Sequence, residues 1–212
     1  MLRINVLGDS ITEGAFASSE EKTFVYLLGE MTDSMVRNYG VSNSGIARRI
    51  IPNDDPRRMM YFASRVYNMD HLADYVFVFG GTNDFGRGAA PMGSGGDQTP
   101  ETFCGGLNCL INELLKYYKQ EQITFILPLY REQENEIIPD ENNEPGHPLQ
   151  DYRNVMTEIL SSRGIAILDI KDKFGKAENN PLLVDGLHPN DEGHRLIASL
   201  IADYINNELL KK

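Results

Sequence analysis

Short apolar runs alternate with amphipathic helical stretches along the whole of this 212-residue chain, and that alternation is what most narrows its fold. A strand that passes through a helix before the next strand returns parallel to the first, so the pattern predicts a parallel α/β sheet. Residues 2–7, 35–38, 75–79, 123–127 and 165–169 read as five successive strands. The third and fourth runs are nearly continuous in Val, Ile and Phe, which is the composition of strands covered on both faces and places them in the middle of the sheet.

The helical stretches carry their own periodicity. Phe24, Leu27, Leu28 and Met31 recur at helical spacing, as do Phe103, Leu107, Leu110, Ile111, Leu114, Leu115 and Tyr118. Thr99 is the expected cap of the latter helix, with Pro100 in its first turn, where a missing N–H does no harm. Leu149, Tyr152, Val155, Met156, Ile159 and Leu160 form a third stripe, which ends at Gly164. Leu196, Ile197, Leu200, Ile201, Tyr204 and Ile205 form a fourth, with Asn190 as cap and Asp191 and Glu192 at the positive end of the helix dipole. All four stripes read as core faces, and Met59, Met60, Met69, Tyr61, Phe62 and Tyr67 read as packing.

Composition bounds the rest. A chain with 41% hydrophobic residues has enough apolar material for one domain over residues 1–212, and neither a repeat nor a linker interrupts it. The net charge of -11 would repel a phosphate backbone or an anionic membrane, which excludes nucleic acid as the expected partner. No apolar stretch approaches the roughly 20 residues of a membrane span, and the apolar run at the start breaks at Gly8-Asp9, so the expected location is cytoplasmic. Cys104 and Cys109 fall about 140° apart around one helix, which predicts two unbridged structural thiols. The oligomeric state is not legible.

Three segments carry chemistry. Gly8-Asp9-Ser10 directly follows the first strand, where a serine stands at the carboxyl edge of the sheet near a helix N-terminus; Ser10 is either a reactive group or a helix cap. Asp185-Gly186-Leu187-His188-Pro189 places a carboxylate three residues before an imidazole. Such a carboxylate can fix the tautomer that frees Nε2 as a base, or simply hold a turn. Gly80-Gly81-Thr82-Asn83-Asp84 ends the third strand, and Asn83 is either an N–H donor to an oxyanion or a turn former. His71 and His194 are expected to be structural, and His147 stays open because its acidic stretch can border the site. All three segments converge on the sheet edge where open α/β folds bind ligands.

In order and spacing, these segments resemble blocks I, III and V of the SGNH/GDSL hydrolases, the GDSL-like lipase/acylhydrolases, over nearly the whole chain. The resemblance implies a three-layer α/β/α sandwich around a flavodoxin-like, five-stranded, mainly parallel sheet. It also implies a Ser-His-Asp triad of Ser10, His188 and Asp185, and an oxyanion hole from the Ser10 N–H, a block II N–H and the Asn83 side chain. Block II departs from the family, because Asn43 stands where glycine is usual and Gly45 comes two residues later, so either can supply the donor. The implied activity is hydrolysis of a small-molecule carboxylic ester with no cofactor or metal. The Gly-rich stretch 85–98 and the acidic stretch 131–148 are expected to wall the pocket. Neither has the apolar character of a long-acyl lid, which tilts the expected substrate toward a short acyl group on a polar carrier such as a sugar. The alternatives are a lysophospholipase or thioesterase on the same fold, or a carbohydrate-binding protein that no longer turns over.

Overall fold

In the computed structural model, which describes residues 1–50, 52–87, 90–139 and 146–210, the strands are β1 (Arg3–Gly8), β2 (Met35–Gly40), β3 (Tyr75–Phe79), β4 (Ile123–Ile126) and β5 (Ala166–Leu168). They pair in parallel in the order β2-β1-β3-β4-β5. The helices are α1 (Ser10–Glu13), α2 (Phe24–Thr32), α3 (Pro56–Met59), α4 (Thr82–Arg87), α5 (Phe103–Leu114), α6 (Leu149–Ser162), α7 (Lys171–Phe174) and α8 (Asp191–Tyr204). Among the described residues, no helix is long and apolar enough to cross a membrane.

Strand residues alternate between two faces, and each face has its own helices. Ile4, Val6, Phe77 and Phe79 pack with Phe24 and Leu28 of α2 and with Ile197 and Ile201 of α8. Leu7, Val76, Val78 and Phe125 pack with Leu107 and Leu110 of α5 and with Met156 and Leu160 of α6. This is the expected three-layer sandwich. Burial on both faces, at roughly 1.5 to 3 kcal/mol per large apolar side chain, explains why the central runs lack polar alternation. β1 lies between β2 and β3, so the chain leaves it in opposite directions and opens a crevice at the carboxyl ends of β1 and β3.

Three local expectations are corrected. The long helix α5 starts at Phe103 and its cap is Thr102, whose Oγ1 accepts the Gly105 N–H at 3.0 Å, rather than Thr99. Pro91 and Met92 carbonyls take the Phe103 and Cys104 amides, so the first turn is satisfied without Thr99. In α2 the buried residues are Phe24, Val25 and Leu28, while Met31 is exposed; the helix packs against α8 and β2. The second strand runs on to Gly40, level with Gly8 of β1. Cys104 is buried and Cys109 half-buried, both as free thiols.

Candidate active site

Gly8 ends β1 at a point where the chain folds tightly onto itself: a Cβ there would lie 2.0 Å from Thr12 Oγ1 and 2.7 Å from the Phe79 carbonyl. Asp9 caps the turn that follows, its Oδ1 accepting the Ile11 N–H at 3.1 Å. The capping role considered for Ser10 therefore falls to Asp9. Ser10 is the first residue of α1, 8% exposed, and its Oγ lies 2.9 Å from His188 Nε2.

His188 is presented by a closed loop, in which Val184 N donates to the His188 carbonyl and Asn190 N to the Leu182 carbonyl. Asp185 works on both sides of this loop. Its Oδ1 accepts the His188 and Leu187 amides at 2.8 and 3.1 Å, and its Oδ2 lies 2.8 Å from His188 Nδ1. One carboxylate thus makes the contacts of both readings, holding the turn amides and facing the imidazole nitrogen. Partial burial raises the Asp185 carboxyl, but the His188 amide, its ring N–H and its charge outweigh that and hold it below the usual carboxylate range. An ionised partner at Nδ1 favours the tautomer with Nδ1 protonated and Nε2 free to accept from Ser10.

Gly81, at φ 106°, turns the chain from β3 into α4 and sets Asn83 in its first turn. Asn83 Nδ2 donates to the Ser44 carbonyl at 3.0 Å, which uses one of the two amide hydrogens. Asn43 is left-handed at φ 66°, the conformation that a glycine adopts without strain. Gly45 instead pairs with Tyr61 and accepts the Phe62 N–H.

Two residues without an assigned role hold this edge together. The Asp84 carboxylate accepts the Ile46 and Ala47 amides at 2.9 and 2.8 Å and so ties α4 to the loop after β2. The buried Arg65 guanidinium donates to the Tyr39 carbonyl at 2.5 Å, and to the Gly8 carbonyl and Ser44 Oγ at 3.0 Å each, while stacked 4.9 Å over the Phe62 ring. One cation thus joins the ends of β1 and β2 to the segment that carries Asn43. Burial lowers it to about 10, against the Asp9 and Glu13 charges, so it stays protonated at neutral pH.

The two irregular stretches differ. Residues 85–87 belong to α4, and Pro91, Met92, Gly95 and Asp97 carbonyls bind Phe103, Cys104 and Asn108 of α5, so the Gly-rich stretch is docked on that helix. The acidic stretch begins against the Asp185–His188 loop: Glu132 N donates to the Gly186 carbonyl at 2.8 Å, and Arg131 Nη1 to the Thr82 carbonyl at 3.0 Å. Residues 88–89 and 140–145, with Asp140, Glu141 and Glu144, lie outside the described residues. His147 faces Asp151 at 3.3 Å on the exposed start of α6, His194 is fully buried, and His71 stacks on Tyr117. A wide cleft of about 880 Å³ opens at the opposite, amino edge of the sheet, beside Tyr75, Gln120 and Ile165, away from all of these groups.

Beneath Ser10, Asp9 and Asp84 are both buried. Burial pushes Asp9 up to about 7, with the Asp84 charge adding to the rise and the Ile11 amide and Arg65 opposing it; burial likewise pushes Asp84 up to about 6. From the ordinary 3.8 up to about 7, folded Asp9 holds a proton that the unfolded chain has released, so its contribution to stability falls as pH rises. Asp9→Asn keeps the capping oxygen and removes the charge. Relative to wild type, the variant should gain roughly 1 to 3 kcal/mol between pH 5 and pH 8, read from urea unfolding at both. An identical wild-type-to-variant difference at the two pH values would show that Asp9 does not titrate in this range.

Comparison with known proteins bears on the fold and the family. No curated protein matches in sequence. Among solved structures, a Lactobacillus plantarum protein superposes with a TM-score of 0.80 at 27% identity, covering 98% of this chain and 97% of its own. The native M. smegmatis aryl esterase superposes at 0.68 with 18% identity over 97% and 99% of the two chains. A lipolytic G-D-S-L family member from Veillonella parvula does so at 0.64 with 16% identity over 98% and 100%. The latter two attest to the fold. The family model for GDSL-like lipases/acylhydrolases matches residues 6–196, a span holding all three chemical segments, and the chain thus belongs to that family of ester-hydrolysing enzymes.

Proposed function

We propose that this protein is a serine esterase in which Ser10 is the nucleophile, His188 its base and Asp185 the group that orients and stabilises the imidazole. The observation that carries the reading is the continuous relay from Ser10 Oγ through His188, at 2.9 and 2.8 Å, to a carboxylate held ionised at the carboxyl edge of the sheet. Ser10 Oγ attacks the ester carbonyl as Nε2 takes its proton. The oxyanion forms among the Ser10 N–H, the remaining Asn83 N–H and the Asn43 N–H. His188 then protonates the departing alcohol, and a water activated by the same nitrogen releases the acid. The left-handed backbone of Asn43 favours it over Gly45, whose backbone is engaged with the 61–62 segment.

The substrate we infer is a short acyl ester, such as acetyl, of a polar carrier of the carbohydrate kind. Support comes from the acidic stretch that leans on the Asp185–His188 loop, which offers little apolar surface for a long chain. A long acyl pocket would add about 0.8 kcal/mol per buried methylene. Without one, kcat/KM for p-nitrophenyl esters is expected to be highest for acetate, lower for butyrate and lower again for octanoate, with acetate released from acetylated oligosaccharides. A rate that climbs steadily to octanoate would replace this reading with a long-acyl hydrolase.

A further inference from the structure

Phe16 is the exposed aromatic residue that touches the triad. Its ring centroid lies 5.3 Å from that of His188, tilted by 32°, yet 52% of the residue stays open to solvent. Its backbone is left-handed at φ 64°, a conformation that bulky residues rarely adopt. The surroundings enforce it. Ala15 N donates to the Ser10 carbonyl at 2.9 Å. His194, whose Nδ1 accepts the Phe24 amide, directs Nε2–H at the Ala15 carbonyl at 3.2 Å. Ser18 donates its amide and hydroxyl to Asp191 at 2.8 and 2.6 Å. Both flanks of Phe16 are thus pinned to α8, the helix that starts three residues after His188, so ring and imidazole share one support.

We propose that the Phe16 ring is the platform on which the ester's leaving alcohol rests, and that it selects alcohols with a flat apolar face, either an aryl ring or the C–H face of a sugar. The proposal rests on the esterase reading above. When the acyl–oxygen bond breaks, its electron pair passes to the alkoxy oxygen, which takes the proton from His188 Nε2. The alcohol must therefore lie against the imidazole edge, beside the exposed half of Phe16. An apolar surface there that water covers in the free protein is covered by the alcohol during turnover, and that contact adds binding without touching the acyl side.

The test compares wild type, Phe16→Gly and Phe16→Trp on phenyl acetate, a monoacetylated methyl xyloside and ethyl acetate. Glycine adopts the left-handed backbone freely, so the fold is retained, and the variant-to-wild-type ratio cancels the intrinsic reactivity of each ester. Phe16→Gly should lower kcat/KM roughly ten- to a hundredfold for the aryl ester, the sugar ester or both, and about twofold or less for ethyl acetate; Phe16→Trp should restore it. A loss confined to one of the first two esters identifies which alcohol the platform serves. An equal loss on all three would mean that Phe16 only steadies His188, and no loss on any would mean that it does neither; each result overturns the proposal while leaving the esterase reading intact. A wild-type protein that hydrolyses none of the three and leaves Ser10 unreactive to a fluorophosphonate would remove that reading and this proposal with it.

Discussion

Ser10→Ala is expected to abolish covalent labelling by a fluorophosphonate probe and to lower kcat for p-nitrophenyl acetate by about 10⁵- to 10⁶-fold. The size of the effect follows from what remains. Without Oγ no acyl-enzyme forms, and His188 can only assist water weakly, so the residue of activity is what the oxyanion donors and binding supply, about 10³- to 10⁴-fold over solution. The fold should be indifferent, because Asp9 rather than Ser10 caps α1 and the Ser10 carbonyl still accepts the Gly14 and Ala15 amides. Unchanged far-UV circular dichroism and melting, with label lost, is the expected outcome. Label that survives in the variant would place the nucleophile elsewhere.

Asp185→Asn should reduce kcat by about 10⁴-fold with little change in KM. The substitution is chosen because Asp185 has two separable duties. Its Oδ1 holds the His188 and Leu187 amides, and an asparagine oxygen does the same, so the loop keeps its shape. Its Oδ2 faces Nδ1, and there an amide N–H makes Nδ1 the acceptor, moves the ring proton to Nε2 and removes the base. Asp185→Ala should lose both duties and additionally lower the melting temperature. Because the Asp185 carboxyl is held below the ordinary carboxylate range, moderate acidification does not reproduce the effect of Asp185→Asn. An Asn variant within tenfold of wild type, with the loop shown intact, would reduce Asp185 to a turn residue.

The sheet was legible because its signal is local. Five apolar runs of the right length, with the third and fourth free of polar alternation, contain nearly all that is needed to place β3 and β4 in the interior. The candidate site was legible for the same reason: Gly8-Asp9-Ser10, Gly81–Asp84 and Asp185–His188 each compress their proposed chemistry into a few residues at a strand end or a loop. What escaped is what depends on contacts far apart in sequence. Arg65 reads as one cation in an aromatic segment, and only the fold shows that it binds carbonyls at Gly8 and Tyr39. The start of α5 was misplaced because its first amides are satisfied by residues 91 and 92, a dozen positions upstream, and not by a local cap at Thr99. Phe16 gave no periodic signal at all, since its exposure and its contact with His188 are both products of tertiary clamping by α8.

Ser10 and His188 meet across 178 residues of chain, and the helix that steadies the latter is α8. During synthesis the serine, its amide donors and all five strands precede the imidazole from the ribosome. On the proposed assignment, a nascent protein of that length holds the oxyanion donors without a proton acceptor. Hydrolysis should then begin only when α8 has docked against α2 and the face of the sheet that α2 covers. Ester turnover should therefore report only chains in which the Asp185–His188 loop is in place, and chains stalled or clipped ahead of that loop should stay silent toward any ester in their surroundings.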